Sequence, residues 1–151
     1  MSAPRPPELE RVVRFYESLG PTDVARLGEL YADDAWFKDP FNEVRGVAAI
    51  ARIFEHMFEQ VDAPRFVVQE TVSQGHAAML VWDFHFAFRR PLPAGARCIR
   101  GCSHLRFAAD GRVVSHRDYW DAAEELYGQL PALGVLMRWL RRRGGVPQRH
   151  G

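Results

Sequence analysis

The spacing of hydrophobic residues divides the chain into a helical first part and a strand-rich second part. Leu9, Val12, Val13, Tyr16 and Leu19 recur at the three-and-four spacing of one helix face, after prolines that end at Pro7 and before Gly20-Pro21 stops the run. Thr22 or Asp23 can cap a second, shorter helix carrying Val24, Leu27, Leu30 and Tyr31. Asp34 to Lys38 is short and aromatic and ends at Pro40; Gly46 then opens a third helix with Ile50, Ile53, Phe54, Met57, Phe58 and Val61. After Pro64 the period changes, and Phe66 to Ser73, Ala77 to Arg89, Arg97 to Phe107 and Val113 to Tyr119 read as four strands. Gln74-Gly75-His76 and Ala109-Asp110-Gly111 have the composition of tight hairpins, and Pro91 to Gly95 that of a looser one. Helices first and an antiparallel meander later predict an α+β architecture, with three N-terminal helices packed on one face of a curved sheet.

Ala78 to Phe88 is the most polarised of these segments. Its even positions, Ala78, Leu80, Trp82, Phe84, Phe86 and Phe88, are all apolar, whereas the odd ones run Met79, Val81, Asp83, His85, Ala87. Successive strand residues leave opposite faces, so one face is hydrocarbon and the other sets an acid beside an imidazole. The aromatic stripe predicts sheet packing or a dimer face. The Asp83–His85 pair predicts a lined pocket with acid/base capability, against the plainer reading of His85 as a satisfied core histidine.

Charge and cysteine content bound the class. The 151 residues suit one ordinary domain, expected over 8–143 with flexible termini at 1–7 and 144–151. Twenty Lys and Arg against 19 Asp and Glu leave a formal net charge of +1, so no global field favours nucleic acid. Cys98 and Cys102, four apart in a strand, hold their Cα atoms roughly 13 Å apart and cannot pair with each other. Reduced thiols, and an N-terminal segment with no apolar core of a signal peptide, predict a cytoplasmic protein.

Leu30-Tyr31-Ala32-Asp33-Asp34-Ala35-Trp36-Phe37-Lys38-Asp39-Pro40, followed by a Gly-led helix, resembles the signature of the nuclear transport factor 2-like superfamily. That superfamily includes ketosteroid isomerases, SnoaL-like polyketide cyclases, limonene epoxide hydrolases and scytalone dehydratases. The resemblance runs from about Glu8 to Glu125 and implies a cone, a bent antiparallel sheet wrapped around helices with a ligand cavity at its wide end. It also implies a homodimer, a small hydrophobic ligand and chemistry that needs no redox cofactor. Asp39 matches the general base of the ketosteroid isomerases; their oxyanion-binding tyrosine falls on Phe15, which has no donor and precedes Tyr16, and their partner acid falls on Ser103. Gly111-Arg-Val-Val-Ser-His-Arg-Asp-Tyr-Trp-Asp121 resembles the final strand of the limonene epoxide hydrolases, with Asp118 on one catalytic carboxylate. The arginine of that family falls on Asp83, its other carboxylate on His85, and its water-holding tyrosine and asparagine on Phe37 and Asp39.

The expected site is therefore one acidic, histidine-containing cavity. Asp39 or Asp118, coupled to His85 and oriented by Asp83, would move a proton or activate water; Phe15, Tyr16, Trp36, Phe37, Met79, Ser103 and His116 would line the ligand. Competing readings make Asp39 a turn former before Pro40 and let Asp118 pair with Arg117 or cap a helix near Asp121. A metal site from His85, His116 and Asp118 lacks any recognised ligand spacing, so none is assigned. The rival to an isomerase, hydrolase, cyclase or dehydratase is a noncatalytic binding or dimerisation module. Leu126 to Leu140 forms an extra, largely apolar C-terminal helix ending in Arg141-Arg-Arg143, which either closes the pocket, covers a partner subunit or touches an anionic membrane surface.

Overall fold

The computed structural model describes residues 4–92, 94–129, 134–136 and 138–139. They fall in two units, Met1–Trp120 and Asp121–Gly151. In the first unit, Pro7 opens α1 (Pro7–Glu17) in the first turn, where an N–H would have no intrahelical partner. Glu8 and Glu10 complement its N-terminus, and Leu9, Val12, Val13 and Tyr16 are buried. Just before it, Arg5 is tied to Thr71 and Glu10. Gly20 then precedes a 3-10 turn, Pro21–Arg26, with the Asp23 carboxylate accepting the Gly20 N–H, and the short α2 (Leu27–Leu30) follows.

Tyr31, expected at the end of a helix, instead starts β1 (Tyr31–Lys38), and the three-residue β2 (Glu43–Arg45) pairs with it. Gly46, at φ 94, then opens α3 (Val47–Gln60) as expected. Val61 caps α3 and already belongs to β3 (Val61–Gln74), because the register shift between Asp62 and Arg65, with Ala63 at φ 49, absorbs Pro64 as a bulge. β4 (Ala77–Phe88), β5 (Ala96–Phe107) and β6 (Val113–Tyr119) follow. The six strands form one curved sheet in the order β2-β1-β6-β5-β4-β3; β1 and β6 run parallel and the other four pairings are antiparallel.

Helices α1 and α3 cover one face of this sheet. The inward residues of β4 are the even ones: Ala78, Leu80, Trp82, Phe84 and Phe86 are all buried. The aromatic stripe is therefore interior, not an exposed dimer face, and Met79, Val81, Asp83 and His85 point the other way. Gly101 sits directly opposite Trp82, and a Cβ there would lie 2.6 Å from Cζ2 of the indole and closer still to Cη2. Gly101→Ala is expected to cost about 2 kcal/mol through this overlap. An unchanged midpoint in urea unfolding would show that the indole can swing aside.

In the second unit, Asp121 caps α4 (Ala122–Glu125) by accepting the Ala123 and Glu124 N–H groups, and a 3-10 turn spans Tyr127–Gln129. Helical backbone recurs at 134–136 and 138–139. The remainder of the expected C-terminal helix, its arginine triplet and residues 144–151 lie outside the described residues. No helix among the described residues is long and apolar enough to cross a membrane.

Candidate active site

Between the helices and the concave side of the sheet lies a cavity of about 690 Å³. Tyr16 of α1, Phe37 of β1, Phe54 of α3, Phe66 of β3 and Trp82 and Phe84 of β4 give it aromatic walls. A volume of this order suits a small organic molecule rather than a few waters.

One part of the wall is polar, and sheet register explains why. On β6, His116 and Asp118 are two apart and share the inward face; across the β5–β6 ladder Asp118 stands opposite Ser103, and across the parallel ladder His116 stands opposite Phe37. His116 Nε2 lies 2.6 Å from Asp118 Oδ1, and the Ser103 hydroxyl donates to the same oxygen at 2.5 Å. Trp82 Nε1 in turn donates to Ser103 Oγ at 2.8 Å. On the far side of the ring, His116 Nδ1 meets the Tyr31 hydroxyl at 2.6 Å, and that hydroxyl is hydrogen-bonded to Tyr16. The His116 side chain is 3% exposed and that of Asp118 18%. Among the described residues no hydrogen bond reaches Asp118 Oδ2, so one carboxylate oxygen remains for a guest.

Hydrogen-bond bookkeeping gives this chain two proton arrangements. With Asp118 ionised and His116 neutral, Nε2–H donates to Asp118, Tyr31 donates to Nδ1 and Tyr16 donates to Tyr31, so every O–H is used inward. A further proton placed at His116 Nδ1, on the tyrosine side of the ring, makes that nitrogen a donor to Tyr31; Tyr31 then turns to Tyr16, and the Tyr16 O–H is released toward the cavity. Both phenols stay neutral well beyond the ordinary tyrosine range. Burial raises the pKa of Tyr16 most, with the Tyr31 and Asp118 charges adding to it, and burial likewise dominates the rise at Tyr31.

The family model for the SnoaL-like domain matches residues 12–116. The chain belongs to the SnoaL-like domain family. No curated protein matches it. Among solved structures it is similar to a protein of ketosteroid isomerase-like fold from Catenulispora acidiphila in complex with trimethylamine, at 16% identity and TM-score 0.71, over 85% of this chain and 97% of that one. A provisionally assigned SnoaL-like polyketide cyclase from Shewanella denitrificans shares 20% identity at TM-score 0.69, over 83% and 100%. An LEH-like epoxide hydrolase from M. tuberculosis shares 18% at TM-score 0.63, over 88% and 89%. At such identities the likeness is one of fold, the nuclear transport factor 2-like cone that the sequence resembled.

In this SnoaL-like domain the expected site residues separate. Tyr16, Phe37, Asp39, Ser103, His116 and Asp118 line the cavity. Asp83 and His85 do not share it; they stand on the outer face of β4, and no hydrogen bond joins them. Met79 is on that outer face too, and Trp36 points outward from β1 and donates to Glu43. Phe15 faces away from the cavity, because α1 turns the neighbouring Tyr16 inward. The Asp39 carboxylate takes the turn-forming part: Oδ1 accepts the N–H groups of Phe41 and Asn42, both at 2.7 Å, and the Asn42 amide reaches both oxygens. Asp118 neither caps the last helix nor pairs with Arg117, whose guanidinium lies over the Tyr119 ring. Tyr31, wholly buried, is the member of the hydrogen-bonded chain that the residue pattern concealed, since it reads as the last apolar position of a helix.

Proposed function

We propose that this SnoaL-like domain binds a small hydrophobic molecule in the cavity and moves a proton on it, with Asp118 as the base. The observation that carries this reading is the His116–Asp118 pair in an aromatic-walled cavity, with Asp118 Oδ2 unclaimed among the described residues. A carboxylate held by two donors on one oxygen is oriented, and the apolar walls strengthen its interaction with whatever faces the other. A proton taken on Asp118 Oδ2 becomes an O–H that faces the bound molecule and is returned to it as charge develops there, while His116 Nε2–H and the Ser103 hydroxyl keep holding Oδ1. Isomerisation, cyclisation, dehydration and water addition all need such a coupled base and donor, and the structural neighbours carry names from several of these chemistries.

The test begins with melting-temperature shifts and native mass spectrometry against hydrophobic carbonyl, epoxide and fatty-acyl compounds, followed by turnover assays of whatever stabilises the protein. Asp118→Asn keeps the shape of the side chain and is expected to retain binding while lowering turnover by ~10²-fold or more. Full turnover in that variant would remove Asp118 from the role. Binding by the wild-type protein without turnover of any bound compound would make the cavity a carrier site.

A further inference from the structure

We propose that Asp83, His85 and Cys98, on the sheet face opposite the cavity, form a binding site for a divalent transition-metal ion of the zinc type. Alternation brings Asp83 and His85 to one side of β4, and the β4–β5 register places Cys98 directly across from His85. One ligand atom from each residue, a carboxylate oxygen, an imidazole nitrogen and a thiol sulfur, lies within 4.8 Å of both others. Tetrahedral zinc with bonds of 2.0 to 2.3 Å needs such atoms roughly 3.5 Å apart, so small side-chain rotations close the site.

Two further observations point to a ligand. The half-buried His85 ring has no hydrogen-bond partner among the described residues. Gln69 Nε2 donates to Asp83 Oδ2 at 3.1 Å, orienting the carboxylate as an outer-shell partner does and leaving Oδ1 for the ion. The register sets Arg65 opposite His85 and Arg100 opposite Asp83 on the same face, both exposed. Their positive charge disfavours a hard ion held by charge alone, so thiolate and imidazole ligation is the source of affinity. Three protein ligands at a half-buried surface leave the fourth position to solvent or another donor.

The test is a cobalt(II) titration of the metal-stripped, reduced full-length protein. The expected result is a saturable thiolate-to-cobalt charge-transfer band in the near ultraviolet that zinc bleaches. Cys98→Ser should abolish the band, His85→Ala should weaken binding by about tenfold or more, and Cys102→Ser should leave both unchanged. Melting curves in chelator show whether each variant is folded, and zinc should raise the melting temperature of the wild type but not of folded Cys98→Ser. Absence of the band in the wild type, its persistence in Cys98→Ser, or unaltered binding in His85→Ala would each overturn the site.

Discussion

Replacing His116 with alanine is expected to lower the stability of the protein by about 4 kcal/mol, seen as a fall of roughly 10 °C in melting temperature. The His116 side chain is 3% exposed, and its ring packs against the Phe37 ring at 4.8 Å and the Tyr31 ring at 5.9 Å. Removing it leaves a void beside the cavity, strips Asp118 of its charge-assisted donor and takes away the Tyr31 partner at Nδ1. A half-buried carboxylate with one donor fewer is costly because water cannot fully replace what the ring gave. The matched control is His85→Ala in chelator, which removes the same side chain from a half-buried position with no hydrogen bond among the described residues and should stay within about 1 kcal/mol of the wild type. Equal losses in the two variants would mean that the buried network contributes little.

That contrast also shows what the sequence could and could not tell. It contains Asp83-x-His85 and His116-x-Asp118, both two apart and both on strands, and period two alone says only that each pair shares a face. The residues of β4 split cleanly into an aromatic face and a mixed one, but a polar pair among Met79 and Val81 looks buried when the helices have not been placed. Once α1 and α3 cover the aromatic side, Asp83 and His85 go outward, and the pair on β6 goes inward opposite Ser103. Tyr16 and Phe37 could be read as lining because helical spacing and the aromatic strand already put them on apolar faces. Tyr31 could not, since a short apolar run serves a helix end and a strand start equally well. The parallel β1–β6 pairing depends on residues some eighty positions apart, so only tertiary structure reveals that Phe37 and His116 are neighbours. The broad architecture was easier: three helices, hairpin turns and long alternating strands leave few other ways to bury one face of a sheet.

Between pH 10 and 12 the protein is expected to lose about 5 kcal/mol of stability through Tyr16 and Tyr31 alone. Below pH 10 both phenols are protonated whether the chain is folded or not, so the contribution is fully present. Above it the unfolded chain releases protons that the folded chain retains, because burial has pushed both groups far up. Each retained proton then costs stability at about 1.4 kcal/mol per pH unit, and two together rival the whole stability of an ordinary domain. Tyr16→Phe and Tyr31→Phe should each flatten the decline by about half, whatever they cost at pH 7 through the lost hydroxyl. Urea unfolding midpoints across this range give the slope directly. A wild-type slope that neither variant changes would mean that the two phenols ionise as easily folded as unfolded, and that the chain from Tyr16 to Asp118 is open to water. A slope halved in both would establish a dry, proton-retaining network running from Tyr16 through Tyr31 and His116 to Asp118.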